Sequence, residues 1–386
     1  VFEEHGNCEK VANEIYSMGG KILEIGEKIH IIRVEVNSSL IKKIAFIPEV
    51  EWMEKAGEKI FCMDILRNLT GASLLHINGY NGTGIIGEVK DAGYDRNHTE
   101  FAGQIIGEDG NITHDAHGTC TFGILFAKGI NERAKGMLPS AKGIFCDWDI
   151  GRYESIENMV TNWSGIFQSN SWMEGNDYGD YTTYSEENDM AIYDFDVTMI
   201  YAAGNYGGSG IKISSDSNAK NVICVGGINH YNTSTRDDDE WNDASVGPSN
   251  DGRIKPDLSC AYDYIYTTDS TGSFGYTDGD YFEYFGGTSG ATPLVAGAVG
   301  LVYQMYMNNH FGNNPYGKTP HASTVKALLI NHAYQYPFNQ ATRYEQGWGF
   351  VDIGAVYNNQ SDFIIDGEYS LSTGESMGWN FSVNGS

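Results

Sequence analysis

Four short motifs along the chain carry side chains that together could perform acyl transfer. In chain order they contain Asp91 (Val-Lys-Asp-Ala-Gly), His117 (Asp-Ala-His-Gly-Thr), Asn205 (Ala-Ala-Gly-Asn) and Ser289 (Gly-Thr-Ser-Gly-Ala-Thr-Pro). A serine hydroxyl becomes a nucleophile when an imidazole takes its proton, while a carboxylate orients the ring and an amide holds the oxyanion. The order Asp, His, Ser is one in which such triads occur. The pattern therefore predicts a hydrolase with a serine nucleophile.

The motif around Ser289 is the most specific of the four. Small residues surround the serine, and Pro293 lies near the start of an apolar run with helical spacing. This arrangement predicts that the hydroxyl sits at a helix N-terminus, where the backbone is open to close approach and the helix dipole is positive. Such a position suits a nucleophile that must carry developing negative charge.

Two other motifs compete for a functional interpretation. The segment Gly82–Gly87 fits the GxGxxG pattern of dinucleotide-binding oxidoreductases, which needs a preceding strand and a helix that opens within the motif. Here a strand is predicted to follow, at Ile85–Val89, so a nucleotide site is disfavoured. His114 lies one helical turn before His117 but lacks the following Gly-Thr, and we interpret it as a surface residue.

Taken together, the four motifs resemble those of the subtilisin-like serine peptidases, the subtilase family. Ser169–Trp172 is similar to the family's substrate-pairing strand, Gly252–Asp257 to the turn before the serine motif, and Gly347–Gly349 to the closing segment. The resemblance covers about Gly79–Val356. It implies a three-layer α/β fold with a mostly parallel sheet, and a serine endopeptidase (EC 3.4.21) that cleaves polypeptides and needs no cofactor for its chemistry.

The resemblance also implies a role for each candidate residue. Ser289 is the nucleophile, His117 the general base, Asp91 the group that orients it, and Asn205 the side-chain donor to the oxyanion, together with the backbone N–H of Ser289.

Substrate-binding residues follow from the same resemblance. An extended peptide is expected to pair with Ser171 and Trp172, and the pocket for the residue before the cleaved bond is expected to be walled by Ala202, Ala203 and Gly204. Small walls leave room for a large apolar side chain. Met173, however, stands where the family usually has glycine, which is expected to narrow the entrance.

Three departures from the family pattern keep an alternative function open. Ala92 replaces a usual Ser or Thr, Glu88 and Lys90 occupy a strand that is usually apolar, and Cys260–Tyr262 replaces an Ala-Pro-Gly turn. A catalytically impaired binding protein with the subtilase fold is therefore the alternative. Because all four catalytic positions hold chemically competent residues, we favour the enzyme.

The elements that must position these residues are predicted from short apolar runs separated by helical patterns and glycine-rich turns. Buried strands are predicted at 85–89, 141–146, 197–202 and 222–226, which indicates an α/β domain with a mostly parallel sheet. We divide the chain into a propeptide-like α+β domain at 1–56, a catalytic domain at 57–358 and the truncated start of a β domain at 359–386.

The first domain combines helical and extended patterns. We predict a helix at Cys8–Met18, strands at Lys21–Ile25 and Ile29–Val36, and a helix that is capped by Ser38 or Ser39 and runs through Ile47. Through its resemblance to the family's propeptides, this domain is expected to act as an intramolecular inhibitor, as in a zymogen.

Composition excludes some partners. Lys+Arg 24 against Asp+Glu 51 gives a net charge of −27, which opposes nucleic-acid binding. The longest apolar stretch, Pro293–Tyr303, is well short of the ~20 residues of a membrane span. The chain begins Val-Phe-Glu-Glu, without Met or a signal-like segment, and is interpreted as a processed or excised fragment. Ten Asn-X-Ser/Thr sequons favour a secreted glycoprotein.

Cysteines and acidic clusters leave two questions open. The six cysteines are too sparse for a disulfide framework, and Cys146 and Cys224 lie in apolar runs typical of buried thiols. Acidic clusters at 237–243 and 278–283 fit no calcium-loop motif. They are explained either by a solvated acidic surface or by structural calcium, which is common among the proteins that this chain resembles.

Overall fold

The computed structural model describes residues 8–26, 30–53, 62–174, 178–207, 213–241, 243–312, 314, 316–360, 364, 366 and 376. The chain divides into two compact units, Val1–Ile60 and Phe61–Ser386. Residues 54–61, at the predicted boundary between the first and second domains, and all but three residues after 360 lie outside the described residues.

The helices are α1 Cys8–Ser17, α2 Ser38–Ile44, α3 Cys62–Leu69, α4 Ala72–Ile77, α5 Ala116–Phe126, α6 Arg152–Trp163, α7 Thr183–Phe195, α8 Thr288–Met307, α9 Ala322–Asn331, α10 Arg343–Gln346 and α11 Ile353–Asn358. The strands are β1 Lys21–Gly26, β2 Ile31–Glu35, β3 Ile86–Asp91, β4 Ile105–Asp109, β5 Lys142–Asp147, β6 Phe167–Asn170, β7 Thr198–Ala202, β8 Ile223–Ile228, β9 Leu258–Ala261, β10 Ile265–Thr268 and β11 Tyr281–Phe285.

The first unit is a small α+β structure. Its strands β1 and β2 pair antiparallel, and α1 contributes Val11 and Ile15 to the apolar core of the unit. The cap of α2 differs from the prediction: the side chain of Asn37 accepts a hydrogen bond from the N–H of Ser39, and the helix ends at Ile44. Asn37 precedes the serines and is an equally good N-cap residue, so the sequence pattern alone placed the cap one residue late.

A seven-stranded sheet forms the centre of the second unit, in the order β4-β5-β3-β6-β7-β8-β9. All neighbouring strands in this sheet pair in parallel. All residues of β7 and β8 are buried, as expected for strands that are covered on both faces. The parallel arrangement brings the carboxyl ends of the strands to one edge, where ligands bind in open α/β sheets.

Two apolar cores cover the opposite faces of this sheet. Alternate residues of β7 point to different cores, with Ile200 in one and Met199 and Tyr201 in the other. The first core contains residues of α5 and α8, and the second contains residues of α6 and α7. The sheet with helices on both faces confirms the predicted α/β class. Within the described residues, no helix combines the length and apolarity needed to cross a bilayer.

Candidate active site

Asp91 and His117 are in direct contact at the carboxyl edge of the sheet. Asp91 ends β3, and its carboxylate oxygens lie 2.9 and 3.0 Å from the imidazole Nδ1 of His117. Two further donors hold the carboxylate, the hydroxyl of Thr121 at 3.1 Å and the N–H of Ala92 at 2.8 Å. Only 1% of the Asp91 side chain is exposed. The arrangement fixes the ring with Nδ1 as donor, so Nε2 is the nitrogen that can accept a proton.

Helix α5 presents His117 in its first turn. Asp115 caps the helix by accepting hydrogen bonds from the N–H groups of His117 and Gly118. A Cβ on Gly118 would lie 1.9 Å from the carbonyl oxygen of Gly93, so only glycine permits this approach of helix and loop. The close packing brings the start of α5 against the end of β3 and thereby places His117 beside Asp91.

The environment of His117 raises its pKa. Partial burial by itself lowers the pKa of the imidazole, but the negative charge of Asp91 and the hydrogen bond to it act in the opposite direction and prevail. The side chain keeps 30% of its surface exposed. His117 therefore combines a fixed tautomer with access to a substrate and a higher basicity than an ordinary histidine.

Ser289 occupies the second position of α8, one residue after Thr288, and its hydroxyl has a partner in Ser171. The Oγ of Ser289 donates to the carbonyl oxygen of Ser171 at 3.1 Å, rather than to His117 in this conformation. In return, the hydroxyl of Ser171 donates to the carbonyl oxygen of Ser289 at 2.8 Å. Pro293 lies four residues after Ser289 and has no N–H, so that carbonyl lacks its helical donor and Ser171 supplies one.

Phe285 connects the histidine to the serine helix. Its ring meets the His117 ring edge to face, with centroids 5.6 Å apart. The same phenyl ring lies 3.5 Å from the position of a Cβ on Gly290, the residue after Ser289. Phe285 thus lies between the His117 ring and the start of α8, the helix that carries Ser289.

Asn205 stands beside the start of α8, just after β7. Its Oδ1 accepts hydrogen bonds from the N–H and from the hydroxyl of Thr288, both at 2.9 Å. These two donors fix the orientation of the amide and leave Nδ2 as its donor end. The N–H of Ser289 is one of the first four of α8, which have no acceptor within the helix. Two donors are therefore available near the nucleophile.

The predicted substrate-binding residues lie next to these groups, but their side chains differ in orientation. Ser171 follows β6 and is engaged with Ser289. The ring of Trp172 packs with the second apolar core instead. Ala202 and Ala203 are buried, and Gly204 has a φ of +113° and donates its N–H to the hydroxyl of Thr288.

Three contributors to the site were not found by sequence reasoning. Thr121 holds Asp91, Thr288 holds Asn205, and the carbonyl of Ser171 accepts from the nucleophile. Thr121 could have been found, since it lies four residues after His117 on the same face of α5. The other two contacts join segments far apart in sequence.

His114 and Asp95 form a separate pair. Their closest atoms, Nε2 and Oδ2, are 3.4 Å apart, and Asp95 also accepts hydrogen bonds from Thr271. Asp95 therefore does not serve His117 in this structure.

The open questions of bound metal and of cysteine pairing can be examined in the described residues. There, no group of three or more His, Cys, Asp or Glu side chains is arranged to hold a metal ion. The cluster Asp237–Glu240 lines a cavity of about 420 Å³. Five buried cysteines are free thiols, namely Cys8, Cys120, Cys146, Cys224 and Cys260.

A second cavity lies beside the residues that precede α8. Its volume is about 450 Å³, and it is lined by Gly286 and Gly287, by four tyrosines and by the carboxylates of Asp243 and Asp263. It lies at the carboxyl ends of β8 and β9, and its lining does not include the predicted pocket walls Ala202, Ala203 and Gly204.

Comparison with known sequences identifies the family model that this chain matches. The model described as "Subtilase family" matches residues 78–349. The mouse (Mus musculus) membrane-bound transcription factor site-1 protease is 25% identical over 313 residues, which is 76% of this chain and 27% of that protein. Serine protease AprX of Bacillus subtilis (strain 168) is 33% identical over 117 residues, 28% of this chain and 26% of that protein. The chain spans about a quarter of the length of these relatives.

Solved structures share the fold. The prenylagaramide maturation protease PagA is similar with a TM-score of 0.60 at 20% identity, covering 76% of this chain and 99% of that one. The self-cleaved protease domain of PatA is similar with a TM-score of 0.55 at 19% identity, covering 72% and 98%.

Proposed function

This chain belongs to the subtilase family of serine proteases, and from that premise we propose that it is an endopeptidase with Ser289 as nucleophile, His117 as general base and Asp91 as the group that orients it. The observation that carries the proposal is the contact of Nδ1 of His117 with both oxygens of the buried Asp91 carboxylate. That contact leaves Nε2 unprotonated and raises the basicity of the ring.

Acylation begins when a peptide carbonyl binds over Ser289. The hydroxyl rotates away from the carbonyl of Ser171 and gives its proton to Nε2 of His117, while Oγ forms a bond to the peptide carbon. Asp91 stabilises the imidazolium that results. The imidazolium then protonates the leaving amine, the C–N bond breaks, and an acyl-enzyme ester at Ser289 remains.

Oxyanion stabilisation comes from two donors. Nδ2 of Asn205 and the N–H of Ser289 bind the negative oxygen of the tetrahedral intermediate, and the positive end of α8 adds to this effect. Thr288 holds Asn205 through its oxygen, so the amide does not have to reorganise during the reaction. In deacylation, Nε2 of His117 takes a proton from a water molecule, whose oxygen attacks the ester carbon. The proton then passes to Oγ of Ser289 as the ester bond breaks and the acid product is released.

The proposed partners are polypeptide substrates and the N-terminal unit as an intramolecular inhibitor. The antiparallel pair β1–β2 with α1 and α2 gives this unit a core of its own. Release of the unit, export and glycosylation remain predictions. The alternative of an impaired binding protein has no favouring observation, since every catalytic candidate in the described part of the chain is a competent group.

Peptide hydrolysis by single and double variants tests this function. Ser289→Ala and His117→Ala should each lower kcat by about 10⁶-fold, the loss measured in subtilisin, because nucleophile and base act as one unit. The double variant should be no worse than either single variant. Activity that survives in Ser289→Ala would contradict the proposal, and a much larger loss in the double variant would contradict the shared role.

A further inference from the structure

Two buried cations lie near the ring of one tryptophan, Trp172, which follows Ser171 in the chain. Nζ of Lys90 is 5.5 Å from the centroid of the Trp172 ring, and Cζ of Arg152 is 5.4 Å from it. Lys90 has no exposed surface, and Arg152 is buried as well. A cation within about 6 Å of an aromatic face is attracted to it, most strongly where water is excluded.

Arg152 has partners that explain its presence without Trp172. It donates to Asp216 at 2.6 Å and to Glu174 at 2.7 Å. The N–H of Glu174 also donates to Asp216, at 3.0 Å. These contacts fix the end of the segment Ser171–Glu174, and the reciprocal hydrogen bonds with Ser289 fix its beginning.

Lys90 differs because its hydrogen-bond partners are neutral. Its ammonium donates to the carbonyl oxygens of Ile150 and Gly151, at 2.5 and 3.4 Å, and to the hydroxyl of Ser155 at 3.3 Å. Within the described residues no carboxylate lies at ion-pair distance from it. Burial of an ammonium is costly. In the predicted substrate-binding segment, this lysine approaches the ring of Trp172.

Lys90 and Trp172 are each the chain neighbour of a residue of the candidate active site. Lys90 immediately precedes Asp91 on β3, and Trp172 immediately follows Ser171, whose carbonyl accepts from Ser289. Lys90 therefore joins the strand of the orienting aspartate to the start of α6 by hydrogen bonds and approaches the ring of Trp172.

We propose that Lys90 is a positioning residue, which holds the backbone of Ser171–Glu174 for pairing with an extended substrate by packing its charge against Trp172. This inference rests on the proposed endopeptidase function. It predicts that replacing Lys90 weakens the binding of substrates that pair with Ser171–Glu174 more than the binding of substrates that do not reach this segment.

The test compares two substrates, a fluorogenic peptide of about eight residues and a single-residue acyl ester that does not reach the segment. Lys90→Met should raise KM for the peptide between about 2-fold and 30-fold, the range expected for a cation over an aromatic ring, and should change ester hydrolysis much less. Trp172→Leu should have the same effect. The double variant should be no worse than either one, and Lys90→Arg should restore the peptide KM.

Lys255→Met is the matched control. Lys255 is a second buried lysine whose ammonium donates to a carbonyl, that of Ala219, and to Asp257, and within the described part of the chain it makes no contact with Ser171–Glu174. It should leave the ratio of peptide to ester activity unchanged. The inference would be overturned if Lys90→Met and Lys255→Met had the same ratio of peptide to ester activity. It would also be overturned if the effects of Lys90→Met and Trp172→Leu on the peptide KM were fully additive in the double variant.

Failure of the inference and of the function are distinguishable in this assay. Ester hydrolysis that disappears in Ser289→Ala establishes the function whatever Lys90 does. If Lys90→Met does not fold, Trp172→Leu decides alone: an unchanged peptide KM overturns the positioning role. A wild-type protein inactive on both substrates would overturn the function and, with it, the inference.

Discussion

Glu88 gives a prediction about stability that can be worked out from the structure. Its side chain is completely buried on β3; Oε1 accepts a hydrogen bond from Gln168 at 2.6 Å, and Oε2 has no hydrogen-bond partner among the described residues. Burial raises the pKa of Glu88 to about 8, against the opposing effects of Gln168 and the Lys90 charge. The carboxyl is therefore protonated in the folded protein at neutral pH.

The sign of the pH dependence follows from proton linkage. The unfolded chain loses this proton above pH ~4.3, while the folded protein keeps it until about pH 8. Between these values the folded state binds more protons, so the free energy of unfolding falls by about 1.4 kcal/mol for each unit of rising pH on account of this group. At pH 7 the accumulated cost is about 3–4 kcal/mol. Glu88→Gln, which cannot ionise, removes it.

Urea unfolding between pH 5 and pH 8 measures this effect, with Ser289→Ala as the background so that self-digestion is prevented. The stability of Glu88→Gln relative to its parent should rise by about 1.4 kcal/mol per pH unit. Glu283→Gln, at an exposed position on β11, is the matched control and should show no such rise. A difference that does not vary with pH would mean that Glu88 is ionised in the folded state, which would refute this account of its burial.

Three further predictions concern the site. Asn205→Ala should lower kcat by about 10²–10³-fold with little change in KM, because its amide acts on charge present only in the transition state; an effect on KM alone would assign Asn205 to the pocket. Since Asp91 raises the pKa of His117, kcat/KM should rise with pH through a midpoint above ~6.5. In Asp91→Asn that midpoint should move down and kcat should fall by about 10⁴-fold, as in another serine triad; full activity would exclude Asp91 as the orienting group. Added fragment 1–55 should inhibit the mature enzyme in a peptidase assay, and a fragment that neither binds nor inhibits would contradict the propeptide role.

The sequence allowed the α/β class to be predicted because buried parallel strands appear as continuous apolar runs between turn signals. The runs at 141–146 and 197–202 correspond closely to β5 and β7. The strand β3 was harder to predict from the sequence, since Glu88 and Lys90 interrupt its apolar run. Their partners, Gln168 and the carbonyls before α6, lie about 60–80 residues away in sequence, and no local pattern reveals such pairing.

In the candidate site, too, local features could be predicted from the sequence, whereas contacts between distant segments could not. Residues whose chemistry depends on type and local context, such as Ser289 ahead of Pro293, could be proposed from the sequence. The groups that hold them could not, because Ser171 and Thr288 act through contacts made only when distant segments meet. The packing of Trp172 near Lys90 and Arg152 likewise joins segments that are far apart in sequence.

The most direct test of the central claim is to treat the purified protein with a fluorophosphonate probe and to map the adduct by mass spectrometry. We expect a single adduct on Ser289, which is lost in His117→Ala because the hydroxyl then has no base. Labelling at another serine, or no labelling of a folded protein from which the N-terminal unit has been removed, would contradict the assignment of Ser289 as the nucleophile.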